Sequence, residues 1–210
     1  MRDALPILPL AEQTMAMPAI RRRWTTADVR ALMDESRAWP RYELIDGELL
    51  VTPAPGGIHQ VAVAEIIAIL APYAEGGGIG IVLPSPADLE LKPGTITQPD
   101  VFVVPAKTPM AGEMLQWPDV KSLTLAVEII SPSSMKVDRT EKRDFYMEAR
   151  VAEYWIVDLD ARIVERWTPE QVHPEIRRDT LSWRPIATAP LEIDLRALFA
   201  RIDRKARLRL

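Results

Sequence analysis

The segment LTLAVEII at 123–130 constrains the fold of this chain more than any other feature. Read with the two-residue period of a β-strand, it is apolar on both faces. Such strands occur in the interior of a sheet covered by helices on either side. Glu128 interrupts the apolar run. Taking a carboxylate out of water costs on the order of several kcal/mol unless a cation, a metal or a proton compensates. Two readings fit: a structural ion pair with an Arg or Lys of a packed helix, or a functional acid. DVFVV at 100–104 repeats the pattern, with Asp100 at the mouth of a second buried strand, directly after Pro99. Proline suits a first strand position, where no ladder donor is needed.

The remaining punctuation places helices around these strands. Thr25 or Thr26 is a helix N-cap, with Val29, Leu32 and Met33 as the apolar face and Pro40 as the stop. Residues 42–51 are two β-prone runs around Asp46-Gly47, a pair that tolerates the positive φ of a tight hairpin turn. Helical spacing of apolar residues runs over 61–73 and stops at the glycines 76–78. Strands are expected at 79–83, 88–91, 154–157, 163–167 and 181–185, and helices at 138–149 and 194–202. Interleaved strands and helices predict one α/β (α+β) domain with a mixed central sheet flanked by helices. Residues 1–20 read as a flexible leader, 21–200 as the domain and 201–210 as a basic tail.

Composition narrows the chemistry. The 210 residues include no cysteine and two histidines, His59 and His173, which excludes disulfides, zinc–thiolate sites, iron–sulfur clusters and a cysteine nucleophile. A formal charge of −4 announces no global basic field for nucleic acid, though Arg21–Arg23 and 201–210 are local basic runs that either bind phosphate or stand solvated. The apolar stretch 61–71 is too short to span a bilayer, and the amino terminus does not read as a signal peptide. A cytoplasmic protein without a membrane is expected.

Asp100 and Glu128 together suggest a hard divalent cation: magnesium takes oxygen ligands, keeps several waters and uses one or two carboxylates. Glu43 is a third acid; strand alternation puts it opposite Tyr42 and Leu44, facing either solvent or a cleft. Asp138, Lys142 and Tyr146 fall at i, i+4 and i+8 on one helix face, from which Lys142 either leans over the strand end or stands solvated. Trp155, Trp167 and Trp183 are either core or a dimer interface.

The order of 42–48, then Pro53 and His59, Pro99-Asp100-Val101, 127–133, Asp138-Arg139 with Lys142 and Tyr146, and 153–158 resembles the bacterial Uma-type restriction-endonuclease family of the PD-(D/E)XK nuclease superfamily. The resemblance spans about residues 24–168. It implies a restriction-endonuclease-like fold and Mg2+-dependent hydrolysis of DNA phosphodiester bonds, with Mn2+ as a substitute. Asp100 and Glu128 match the metal-holding acids and Glu43 an additional catalytic acid. The superfamily's lysine, two residues after the second acid, is Ile130 here; the resemblance moves its role to Lys142, with Lys136 as the fallback. Ser131 is a further hydrogen-bonding candidate. A homodimer suits an enzyme with one site per chain cutting two strands. The alternative function is a catalytically inactive nuclease-fold binding or assembly protein, and a weaker one is a metal phosphoesterase on small substrates.

Overall fold

The computed structural model describes residues 23–35, 40–132 and 134–207; the expected leader lies outside them, as do Arg21 and Arg22. Helix α1 (Thr26–Glu35) is capped by Thr25, whose Oγ1 accepts the Asp28 amide at 3.2 Å while its own amide donates to Asp28 Oδ2 at 3.0 Å. Strands β1 (Arg41–Ile45) and β2 (Glu48–Thr52) form the expected hairpin, with Asp46 and Gly47 at φ 50° and 80°. Helix α2 (Gly57–Gly76) begins earlier than its apolar period. By length and composition it is apolar enough to cross a membrane, but its apolar residues are those of a core helix: Ala62, Ile66, Leu70 and Ala74 are buried against the sheet.

The central sheet has the order β3 (Gly80–Pro84), β4 (Val101–Pro105), β5 (Leu125–Ile130), β6 (Tyr154–Asp158), β7 (Ile163–Trp167), β8 (Glu175–Arg177). Every neighbouring pair is antiparallel except β5–β6. A parallel pair needs a crossover. Here that crossover is α3 (Met135–Val137), a π-turn (Asp138–Lys142) and α4 (Arg143–Glu148) running on as one helical segment. A small sheet of β9 (Thr180–Trp183) and β10 (Leu191–Asp194) and helix α5 (Leu195–Ala206) complete the chain.

Alternation along β4, β5 and β6 divides the core in two. Odd-numbered Val101, Val103, Leu125, Val127, Ile129, Trp155 and Val157 pack under α2 and α5. Even-numbered Phe102, Val104, Ala126, Ile130, Tyr154 and Ile156 pack under the crossover with Phe145 and Tyr146. Strands β4, β5 and β6 are thus covered on both faces, as the double-sided apolarity of β5 requires.

Two expectations are corrected. Residues 88–91 are not a strand; Leu89 makes a single bridge to Thr97, and a chain punctuated by Pro86 and Pro93 extends no ladder further. The basic tail is helical as far as Ala206, because α5 continues past Ile202, and Arg201 and Lys205 fold back onto buried Glu65 of α2. Of the two readings for Trp155, Trp167 and Trp183, the core is the observed one: all three are buried. Strands β8 and β10, short and polar, carried no period to read.

Candidate metal centre

Pairing of β4 with β5 sets Val101 opposite Val127 and Phe102 opposite Ala126. Continued by one residue, the same register sets Asp100 opposite Glu128, on the face covered by the crossover. Directly opposed residues of an antiparallel pair have Cβ atoms about 4.5–5.5 Å apart, so the two acids are neighbours by construction. Both are buried, and both line a cavity of ≈ 500 Å³ walled by β2, the 53–58 loop and the segment after β5.

The hairpin contributes Glu43. Tyr42 and Leu44 pack toward α1, while Arg41, Glu43 and Ile45 point the other way, toward the cavity and the crossover side of the core. The alternative that places Glu43 on the wall of a cleft is therefore the observed one. Its Oε1 accepts the Gln98 amide at 2.8 Å and the Thr97 hydroxyl at 3.2 Å, and its Oε2 lies 2.8 Å from Lys142 Nζ. Both oxygens are engaged by donors of the protein.

The crossover contributes the cation. Lys142, at the end of the π-turn, places Nζ 2.9 Å from Glu128 Oε1 and 3.7 Å from Asp138 Oδ1, besides Glu43. A π-turn is rare and recurs at functional sites; here Asp138, Lys142 and Tyr146 all turn inward. Tyr146 donates to Glu128 Oε1 at 3.1 Å and stands 2.8 Å from Thr97 Oγ1. Lys136 is exposed, and Ser131 and Ser134 hydrogen-bond each other at the start of the crossover.

Of the residues at the site, Arg41 is no candidate from sequence, and His59 is legible there only as part of the motif order, without a partner. His59, in the first turn of α2, brings Nε2 to 3.0 Å from Asp100 Oδ2, and Arg41 Nη1 lies 3.7 Å from Asp100 Oδ1. The available signals were parity for Arg41, which shares a strand face with Glu43, and for His59 its place two residues after the glycine pair 56–57 at a helix start.

The electrostatics separate the paired acids. Burial pushes Asp100 up, but the His59 hydrogen bond and charge, the Ile129 amide and Lys142 outweigh it and hold the carboxyl below its ordinary value. Glu128 is pushed well above the ordinary range, first by burial and then by Asp100, Asp138 and Glu43, against the opposing pull of Lys142. Asp138 is raised by burial in the same way. Burial disfavours the Lys142 charge, yet Glu128, Glu43 and Asp138 prevail and keep the ammonium well above the usual lysine value. Burial and Glu128 likewise keep Tyr146 a phenol.

Three carboxylates, Glu43, Glu128 and Asp138, thus surround one lysine, and Asp100 stands beside Arg41 and His59. The donor set is hard oxygen from neighbouring strands with no sulfur, which suits Mg2+ or Mn2+. Among the described residues no group of three or more acids and histidines is assembled to cage a metal unaided. Asp100 and Glu128 fit such a cation.

Comparison with known proteins bears on the same elements. No curated protein matches the chain. Among solved structures, the crystal structure of "a putative nuclease belonging to DUF820" from Anabaena variabilis ATCC 29413 superposes with a TM-score of 0.63 at 20% identity, covering 78% of this chain and 92% of that one. At that identity the likeness establishes a shared fold. The family model Uma2, described as "Putative restriction endonuclease", matches residues 28–197. That span takes in the hairpin, the start of α2, both paired acids and the crossover with Lys142, and the chain accordingly belongs to the Uma2 family.

Proposed function

We propose that the chain is a divalent-metal-dependent endonuclease that hydrolyses DNA phosphodiester bonds, using Mg2+ with Mn2+ as a substitute. The observation that carries this reading is the cross-strand pair Asp100–Glu128, buried on one sheet face, lining a cavity and meeting a buried lysine. Asp100 and Glu128 would hold the cation. When bound, it withdraws charge from a phosphoryl oxygen and lowers the pKa of a water.

The other residues act through position and charge. Lys142, kept as ammonium by the surrounding acids, offers a fixed positive charge beside Glu128 for the negative charge that develops on the phosphoryl oxygens. Glu43 has both oxygens engaged, Oε1 by Gln98 and Thr97 and Oε2 by Lys142; it anchors Lys142, so its part in this reading is positioning rather than catalysis. Tyr146 orients the Glu128 carboxylate through its hydroxyl.

The test is incubation of supercoiled plasmid with wild type and with Asp100→Ala/Glu128→Ala in Mg2+ or Mn2+, alongside metal titration by calorimetry. Nicking and metal uptake that both vanish in the double variant are expected. A wild type that takes up no metal, with a double variant that melts higher, would overturn the reading in favour of a nuclease-fold binding protein. Hydrolysis of small phosphate esters with no dependence on polymer length would instead indicate a phosphoesterase.

A further inference from the structure

We infer that His59 is a positioning residue for the metal-holding acid: its Nε2–H fixes the Asp100 carboxylate so that Oδ1 is the oxygen offered to the cation. This inference rests on the metal reading above and concerns how the ligand is oriented.

A carboxylate oxygen can only accept a hydrogen bond, so the 3.0 Å contact to Asp100 Oδ2 assigns the proton to Nε2. The same Oδ2 accepts the Ile129 amide at 2.9 Å. Two rigid donors, one on α2 and one on β5, therefore converge on one oxygen and fix the rotamer. The other oxygen, Oδ1, has Arg41 Nη1 at 3.7 Å, a favourable charge beyond hydrogen-bonding length. A carboxylate divided in this way presents one defined oxygen, and ligating carboxylates are commonly oriented by such outer partners.

The ordinary explanations for a histidine at a helix start do not account for this one. The N-cap of α2 is Gly56, with no side-chain cap, and His59 reaches 41 residues along the chain rather than to its own first turn. Nor does the ring satisfy itself. With Nε2 on Asp100, Nδ1 is buried with no hydrogen-bond partner among the described residues, a desolvation nothing repays. An apolar side chain would fill the space without that penalty, so the Nε2–H contact to Asp100 is what the ring provides in return.

The experiment is Mn2+ titration by calorimetry, without nucleic acid, on wild type, His59→Leu and His59→Gln, with a thermal melt of each. Leucine keeps comparable bulk without the donor; glutamine carries an N–H donor at the position of Nε2. We expect His59→Leu to bind Mn2+ roughly 10–100-fold more weakly, the usual loss when an outer partner of a ligand is removed, and His59→Gln to recover most of the affinity. A general loss of packing would move both melts and would not be rescued by glutamine. Equal affinity in wild type and His59→Leu overturns the inference, as does equal weakening in both variants. No Mn2+ uptake by wild type overturns the metal reading itself, and this inference with it.

Discussion

Lys142→Met is the sharpest perturbation of this molecule. The ammonium is nearly inaccessible and contacts Glu43 at 2.8 Å, Glu128 at 2.9 Å and Asp138 at 3.7 Å. Methionine fills nearly the same volume, so the change removes charge rather than packing. Breaking a buried ion pair from one side costs about 3–5 kcal/mol because the partner is left charged and unsolvated. Here three partners are left, so the upper half of that range is expected. A domain of this size loses about 2–4 °C of Tm per kcal/mol, which gives a fall of roughly 8–20 °C. Urea unfolding followed by tryptophan fluorescence reads the free energy directly, since Trp155 and Trp183 are buried, and the m-value should stay unchanged. Adding Glu43→Gln removes one of the stranded charges. The double variant should then be more stable than the sum of the single losses by about 0.5–3 kcal/mol, the coupling of residues in contact. A loss below about 1 kcal/mol in Lys142→Met, well under the cost of breaking a buried pair, would refute the picture of a lysine neutralising a buried acid cluster.

Other elements make independent predictions. Burial and the neighbouring acids disfavour the charged form of Glu128, so Glu128→Gln should leave the metal-free protein at least as stable as wild type in urea unfolding at neutral pH while plasmid nicking is lost; a destabilised variant would contradict this. Glu65 is lowered by hydrogen bonds from Lys205 and then Arg201. A depressed carboxylate contributes stability above its unfolded value that is lost as pH falls through the folded one. Glu65→Gln should therefore cost about 1 kcal/mol at pH 7, discounted for the part-exposed cations, and the difference should shrink below about pH 4.5 in melts across pH. At Gly80 a Cβ would stand 2.0 Å from the Val104 carbonyl oxygen. Gly80→Ala must open the β3–β4 ladder and should lower stability by at least about 2 kcal/mol, read by chemical denaturation.

What could be read in advance was whatever depends on one element at a time. The double-sided apolarity of 123–130 located the sheet centre, the turn pair Asp46-Gly47 located the hairpin, and helical spacing put Asp138, Lys142 and Tyr146 on one face. Parity along β1 left two directions open for Glu43; only the packing of Tyr42 and Leu44 against Val29 of α1 and Ile96 decides between them. The shared partner of His59 and Arg41 was not legible because Asp100 is 41 and 59 residues away. No local period encodes a contact across three elements.

The place of Lys142 follows from the same geometry. The parallel pairing of β5 with β6 obliges the chain to cross over one face of the sheet, and the crossover helix lies on the face that carries Asp100 and Glu128. A lysine on that helix arrives beside Glu128 from above, although fourteen residues separate the two in sequence. Position 130 shares that sheet face, two residues beyond Glu128, but Ile130 is buried in the apolar cluster beneath the helix. A lysine at 130 would place a second ammonium under the same covering helix as Lys142. The apolar residue on the strand and the charged residue on the helix are therefore one arrangement: Ile130 helps seat the crossover, and the seated crossover delivers Lys142 to the acid pair.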